Sequence, residues 1–246
     1  MDKLPVAKNP SWDGSFPLIG IRIIQDFERN DLNVLKDIAS FGVSDVADQV
    51  GILYAMDTAL HAAYAGMAPM IGNALTIKCA PGDSIMIKKA LELVKPGDVI
   101  VIDNRGFTSA CVGGGNIAIA AKKAGAVGIV VDGAWRDIAE IEEIGFPMFL
   151  KGIHPVTTAK RGPGEINTAV CCGGVVVEAG DVVFGDREGI VVIPKRAIAK
   201  VHDQLMKKLI PKSVDPEAKK RTEIERREYM DALFAARGGE ILPSID

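Results

Sequence analysis

Two short stretches of this chain carry residue types that could do chemistry. Gly113-Gly114-Gly115-Asn116 stands where a loop gives way to a predicted helix. Asp132-Gly133-Ala134-Trp135-Arg136-Asp137 leaves one predicted strand and opens the helix after it. Glycines let backbone N–H groups approach an anion closely, and a helix N-terminus adds the positive end of its dipole. A carboxylate or phosphate could be held there without any charged side chain. Arg136 offers a planar fork matched to a carboxylate. Asp137 could hold a hard cation such as Mg2+ through one oxygen, with waters and substrate completing the octahedron. The plain alternative is a tight glycine turn, with Asp137 capping its own helix and Arg136 in a surface ion pair.

Other chemistries find little support. The glycines lack the GxGxxG spacing of a dinucleotide site and the GK[ST] of a P-loop, and no GxSxG elbow occurs. Cys79, Cys111, Cys171 and Cys172 form no CxxC pair and no histidine-spaced set, so they read as reduced thiols in and around strands. Of the three histidines, His61 reads as structural, His202 as solvent-facing, and His154 as a loop residue that could border the site. A formal net charge of −3 gives no footprint for nucleic acid or anionic lipid. No apolar run reaches signal-peptide or membrane-span length, so a soluble, cytoplasmic protein is expected.

The elements that must position these residues are legible in the hydrophobic pattern. With 246 residues, 48% hydrophobic, one domain of ordinary size is expected, with extra arms. Residues 1–30 read as an N-terminal surface arm, 31–196 as the catalytic α/β domain, and 197–246 as a helical arm. Asp31–Ser40 is helical, and Ser44 reads as the N-cap of a second helix that Gly51 ends. Ala74–Cys79, Val99–Ile102, Val127–Val131 and Pro147–Leu150 are strand candidates; Val99–Ile102 is a continuous β-branched run typical of burial on both faces, and Val127–Val131 reads as a second buried strand. Helices over Asp83–Val94, Asn116–Ala124 and Ile138–Ile144 alternate with them, which predicts right-handed crossovers between parallel strands. Asn104–Gly115 reads as a loop. Val175–Glu178, Asp181–Phe184 and Ile190–Ile193 are short strands whose separators, residues 178–181 and 186–189, read as hairpin turns. Ala197–Leu209 and Pro216–Ala236 close the chain as helices, the second with Glu217/Arg221 and Glu223/Arg227 pairs and a stripe of Ile224, Met230, Leu233 and Phe234. That stripe packs on its own domain or crosses to another subunit.

Several motifs agree in order and spacing with a known family. Gly113–Ile117, Gly128–Asp137 and Gly145-Phe146-Pro147 come first, followed by Gly162–Asn167 and the run from Gly173-Gly174 to Gly189–Pro194. Over roughly residues 35–195 the chain resembles the RraA-like family, which includes 4-hydroxy-4-methyl-2-oxoglutarate and 4-carboxy-4-hydroxy-2-oxoadipate aldolases and protein inhibitors of a bacterial endoribonuclease. The resemblance implies a β/β/α sandwich of the swivelling-domain type, in which a parallel α/β layer meets a mainly antiparallel β layer. It implies a homotrimer or homohexamer with active sites at subunit interfaces. By resemblance, Gly114, Gly115, Asn116 and Ile117 form the substrate-binding stretch, Arg136 binds substrate, and Asp137 carries Mg2+ or Mn2+. Asp45 matches an acidic residue contributed by a neighbouring subunit. Gly115 departs from the family's frequent Asp or Glu at that position, so a carboxylate is expected to be missing there.

The activity implied is metal-dependent retro-aldol cleavage of a 4-hydroxy-2-oxo di- or tricarboxylic acid, releasing pyruvate, with oxaloacetate decarboxylation as a side activity. Gly115 keeps a metal-dependent dehydratase open as an alternative. A Schiff-base aldolase using Lys78 or Lys151 would require a desolvated lysine. A non-catalytic regulator that binds a protein partner is the reading from outside enzymology.

Overall fold

The computed structural model describes residues 20–157, 160–208 and 216–239. The chain divides into two compact units, one ending at Leu205 and the second beginning at Met206. In the first unit, strands β1 (Ile21–Ile23), β2 (His61–Ala62), β3 (Met70–Cys79), β4 (Asp98–Cys111), β5 (Gly128–Trp135), β6 (Met148–Ile153) and β7 (Gly164–Ile166) build one sheet in the order β1-β7-β3-β4-β5-β6-β2. Strands β3, β4, β5 and β6 run parallel, as the β-branched runs require. Helices α3 (Ile85–Ala90), α4 (Gly115–Ala124) and α5 (Ile138–Glu143) are their crossovers. These helices cover the sheet face made by Leu75, Ile77, Ile100, Ile102, Ile129 and Val131.

The opposite face presents Ala74, Val99, Val101 and Val130 to a second β layer. That layer holds the hairpin of β8 (Val170–Cys172) and β9 (Val175–Val177), and the antiparallel pair β10 (Val182–Asp186) and β11 (Gly189–Ile193). Strand β10 also pairs antiparallel with β3, which joins the two layers. On the outer side of β10 and β11, Val182, Phe184, Val191 and Ile193 meet α1 (Leu32–Ala39) and α2 (Val43–Val50), and the first turns of α6 (Ile198–Lys208). This is the expected β/β/α sandwich.

Several local expectations are corrected. Residues 178–181 are not a hairpin turn: β9 turns back on β8 through Gly173-Gly174, and β10 leaves to pair with β3. Asn104–Cys111 is a bulged continuation of β4, held by Phe107 opposite Gly133 and Cys111 opposite Ala134. Ser44 lies inside α2 and does not cap it. The Asp186 carboxylate accepts the Val43 N–H at 3.1 Å, so the cap comes from far along the chain. Ile85, expected to face inward, is exposed, while Met86, Ile87 and Ala90 are buried. Residues 20–30 are tied to the sheet. Strand β1 runs parallel to β7, and Arg29 makes a two-point contact with buried Asp98 at 2.7 and 2.8 Å. The rest of the predicted N-terminal arm, residues 1–19, lies outside the described residues, as does Leu209.

In the second unit α7 (Pro216–Ala236) has the predicted bounds, and Glu223 pairs with Arg227 at 3.2 Å. The side chains of Glu217 and Arg221 lie outside the description. Ile224, Met230 and Phe234 are about half exposed. Among the described residues, no helix is long and apolar enough to cross a membrane.

Candidate active site

The two stretches singled out above meet at the carboxyl ends of β4 and β5, where ligands bind in open α/β sheets. The strand ends stay paired beyond the regular ladder. Val112 N–H donates to the Ala134 carbonyl at 3.0 Å, and Arg136 N–H donates to the Gly113 carbonyl at 3.3 Å. Trp135, fully buried, lies against Gly113 so closely that any Cβ at 113 would overlap its indole ring. That contact fixes the height of the glycine loop above the sheet.

Asp137 adopts a left-handed backbone, φ 60° and ψ 40°, unusual for a residue with a Cβ and costing about 1 kcal/mol. The turn aims its carboxylate away from α5, for which it makes no side-chain cap, and onto α4. Asp137 Oδ2 accepts the Gly115 N–H at 3.1 Å, and Arg136 Nε lies 3.4 Å from the same oxygen. The plain alternative is thus half met: the Arg136–Asp137 pair exists, but the helix cap does not. Both side chains remain open to solvent, at 41% and 35% exposure, and Arg136 Nη1 also reaches the Pro155 carbonyl at 3.4 Å. The surrounding cavity, about 270 Å³, is lined by Gly113, Gly114, Asn116, Ile117, Arg136 and Asp137 on one side, and by Ser84, Lys88, Thr157 and Lys160 on the other.

Glu140 was not anticipated. It lies three residues beyond Asp137 on the same face of α5, and a Cβ built on Gly115 would overlap its Oε2. The carboxylate expected to be missing at position 115 is therefore supplied by a neighbouring helix, in the space that the glycine vacates. The signal was present in the sequence as an acid at i+3 from Asp137. It becomes meaningful only once α4 and α5 are known to lie side by side.

The donor set suits a hard divalent cation: Asp137 and Glu140 offer only oxygen, and one or two carboxylates with waters and substrate is the usual Mg2+ arrangement. Among the described residues no group of three or more His, Cys, Asp or Glu is placed to hold a metal ion, so waters and substrate would have to fill most of the coordination shell.

Asp45 is not part of this cavity within one chain. It sits on α2, whose buried Val43 and Val46 pack on the β10–β11 side. His154 borders Arg136 only through its loop, donating its N–H to the Trp135 carbonyl at 3.0 Å. His61 is exposed on β2. His202 is half-buried and pairs with Asp37 at 2.9 Å, where solvent exposure had been expected.

The lysines weighed for Schiff-base chemistry lie in a different environment. Lys151 Nζ is 2.7 Å from Asp132 Oδ1. Burial lowers the pKa of Lys151, but Asp132 outweighs it and the net shift is upward. Lys151 is held as an ammonium and is a poor nucleophile. Lys78 pairs with Glu165 at 3.4 Å.

A parallel sheet with crossover helices on one face and a β layer on the other, joined to an Arg-Asp pair at a glycine-lined helix start, defines a class of small α/β proteins, and sequence comparison places the chain within it. The RraA-like model (Aldolase/RraA) matches residues 41–192, and the chain belongs to that family. A Halalkalibacterium halodurans protein, provisionally named 4-hydroxy-4-methyl-2-oxoglutarate aldolase, is 38% identical over 152 residues, covering 62% of this chain and 70% of the relative. A protein of Ectopseudomonas mendocina with the same provisional name is 33% identical over 151 residues, covering 61% and 93%. Among solved structures, Streptomyces coelicolor RraAS2, described as an unusual member of the RNase ES inhibitor RraA family, superposes with a TM-score of 0.66. It is 26% identical and covers 82% of this chain and 99% of that one. The RNA-processing inhibitor RraA from Thermus thermophilis superposes with a TM-score of 0.58 at 28% identity, covering 63% and 93%.

Proposed function

We propose that the protein is a divalent-metal-dependent carbon–carbon lyase that cleaves a 4-hydroxy-2-oxo acid to pyruvate and an aldehyde or ketone. The observation that carries this reading is the backbone turn at Asp137. It spends conformational strain to bring a carboxylate off its own helix and beside Arg136, the α4 amides and Glu140. A cap of α5 alone would need no such geometry. The aldolase names of the two relatives support the same chemistry.

Arg136 and the N–H groups at the start of α4 hold the C1 carboxylate and the C2 oxygen of the substrate. Glu140 accepts the proton of the C4 hydroxyl. The C3–C4 bond then breaks, its electron pair moves to C3, and negative charge spreads to the C2 oxygen. Glu140 then returns its proton to C3, which completes pyruvate and frees the carboxylate. Asp137, with Glu140 beside it, would hold Mg2+ or Mn2+, which would supply positive charge where negative charge develops on the C2 oxygen. Oxaloacetate decarboxylation generates the same enolate and follows as a side activity. Asp45 joins the site from a neighbouring copy if the chain forms a trimer or hexamer.

The test is pyruvate release from a panel of 4-hydroxy-2-oxo acids, with EDTA and with Mg2+ or Mn2+ restored. Activity that survives chelation, with borohydride trapping of a lysine adduct, would transfer the reading to Schiff-base chemistry. Two of the solved neighbours are RraA-type inhibitors of RNA processing, which favours a second reading, a protein-binding regulator. That reading predicts no turnover on any oxo acid.

A further inference from the structure

A second cavity, of about 200 Å³, shares no residue with the one around Arg136. It opens along the seam between α6 and the end of α2. The seam itself is apolar: Val201 and Leu205 of α6 are buried, and Ala197 and Val50 of α2 pack against the same cluster. Arg196, Lys200 and Gln204 are spaced four residues apart along the turn Lys195–Ala197 and α6. That spacing sets them in one row, beside the row of Ala197, Val201 and Leu205 that meets α2. The other wall is formed by Gln49 and Val50, with Tyr54 in the 3-10 turn Ile52–Tyr54 that follows α2.

No Asp or Glu lines this cavity. The Arg196 side chain makes one hydrogen bond, from Nη2 to the Tyr54 hydroxyl at 2.8 Å, which spans the two walls. Its Nε and Nη1 have no partner among the described residues, and neither do the side chains of Lys200, Gln49 and Gln204. Two positive charges thus share the rim, one helical turn apart, with no carboxylate within 4 Å among the described residues. A single exposed cation is ordinarily satisfied by solvent. Here a planar fork is held by a phenol, an ammonium stands beside it, two free amides flank them, and Val50, Pro194 and Val201 supply an apolar floor. A tetrahedral oxyanion can take two bonds from the free side of the fork and a third from the lysine. Two unneutralised cations favour a dianion over a carboxylate, and the floor favours a ligand with an apolar body.

We propose that this cavity binds a small phosphate monoester, with its phosphoryl group on Arg196 and Lys200 and its body on Val50 and Val201. Tyr54 is a positioning residue for the Arg196 fork. The bound anion ties α6 to the end of α2, and the site stands or falls independently of the lyase reading.

The test is calorimetric titration with phenyl phosphate at fixed ionic strength and pH 7.5, where the phosphoryl group is largely dianionic. The wild type should bind it saturably, and benzoate, a monoanion with the same ring, about tenfold or more weaker. Arg196→Gln/Lys200→Gln should lose about tenfold or more in affinity for phenyl phosphate, the loss of its charge-assisted bonds. It should also lose the rise in melting temperature that the ligand gives the wild type. Both side chains are exposed, so the ligand-free melting temperature should not move; if it does, Lys200→Gln alone carries the comparison. Tyr54→Phe should weaken binding by less than the double variant does. Arg136→Ala controls for anions held at the glycine loop and should bind phenyl phosphate as the wild type does. Binding that Arg136→Ala abolishes and the double Gln variant keeps would assign the anion to the other cavity and overturn the proposal. Absence of saturable binding by the wild type, or equal affinity for benzoate, would overturn it as well.

Discussion

Glu140 offers the most direct test of the catalytic geometry, because its role depends on its relation to Gly115. Glu140→Ala removes an exposed side chain from a short surface helix, so stability should change by less than about 0.5 kcal/mol. In the proposed reaction it also removes the base. General-base contributions are about 10²–10⁴ in rate, so kcat should fall at least a hundredfold, about 2.7 kcal/mol in the barrier. Gly115 is the first residue of α4 and has no left-handed φ, so an aspartate fits its backbone and meets the favourable end of the helix dipole. Its Cβ would overlap only the far end of Glu140, which is absent in the alanine variant. Gly115→Asp/Glu140→Ala therefore returns a carboxylate to the same volume from the other helix, and should recover about tenfold over Glu140→Ala. The assay is pyruvate release coupled to lactate dehydrogenase, with melting temperatures recorded alongside. A folded Glu140→Ala protein that turns over at the wild-type rate would falsify the assignment. If the double variant fails to improve on Glu140→Ala, carboxylate placement does not limit the rate.

Asp137→Ala should lower turnover about a thousandfold or more and abolish the rise in melting temperature that Mg2+ gives the wild type; a preserved metal-dependent rise would place the cation elsewhere. A trimer or a multiple of it is expected by light scattering. Mixing inactive Asp45→Ala with inactive Asp137→Ala should then regain activity through hybrid interfaces, whereas an active monomer would remove Asp45 from the site. A thiol reagent at pH 8 should modify Cys171 rapidly and the other three cysteines only after denaturation, since Cys79, Cys111 and Cys172 are buried and burial pushes the Cys79 thiol up to about 12. Burial raises the pKa of Glu165, but the Thr168 hydroxyl, Lys78 and Arg22 outweigh it and the net shift is downward. Its stabilising effect is present above the unfolded-state pKa of about 4.3 and is lost as pH falls through the lower folded value. The melting-temperature gap between wild type and Glu165→Gln should therefore close on acidification.

The parallel strands were legible because burial on both faces leaves a mark in one dimension. Val99–Ile102 and Val127–Val131 admit no polar residue, and both are interior strands. The antiparallel layer was legible as strands but not as partners. Residues 178–181 and Gly173-Gly174 carry similar turn chemistry, and only the packing of β10 against β3 decides between them. Asn104–Cys111 was misread for a related reason. Its polar residues look like a loop, and its strand character comes from pairing with β5 across two register shifts. Arg136 and Asp137 stood out through their own types and their position after a strand. Glu140 could not stand out in this way, since it gains meaning from Gly115 on another element. A functional group is visible in sequence when its own type suffices, and hidden when its role is a relation across the fold.

The strand ends also show how a bulged, glycine-rich site is held steady. Just before β4 and β5 leave regular register, a row of charged residues crosses the sheet: Glu165 beside Lys78, Lys78 beside Asp103, Asp103 beside Asp132, with Asp132 paired to Lys151. Asp103 and Asp132 are buried, so their charges must be satisfied locally. Asp103 accepts the Arg105 and Cys171 N–H groups at 3.0 and 3.3 Å, and Asp132 accepts the Gly173 N–H at 3.0 Å. Cys171 and Gly173 belong to the β8–β9 hairpin, so the two carboxylates fasten the second β layer to the first at this level. Beyond the row, the register shifts between Asp103 and Phe107 and between Val131 and Ala134. The same two strands then carry Gly113–Gly115 and Arg136-Asp137 to the site. A short irregular extension keeps a fixed position when its base is clamped, and catalytic groups need placement within about 0.5 Å. The row on the β-layer face therefore acts as the anchor for the candidate site on the helix face.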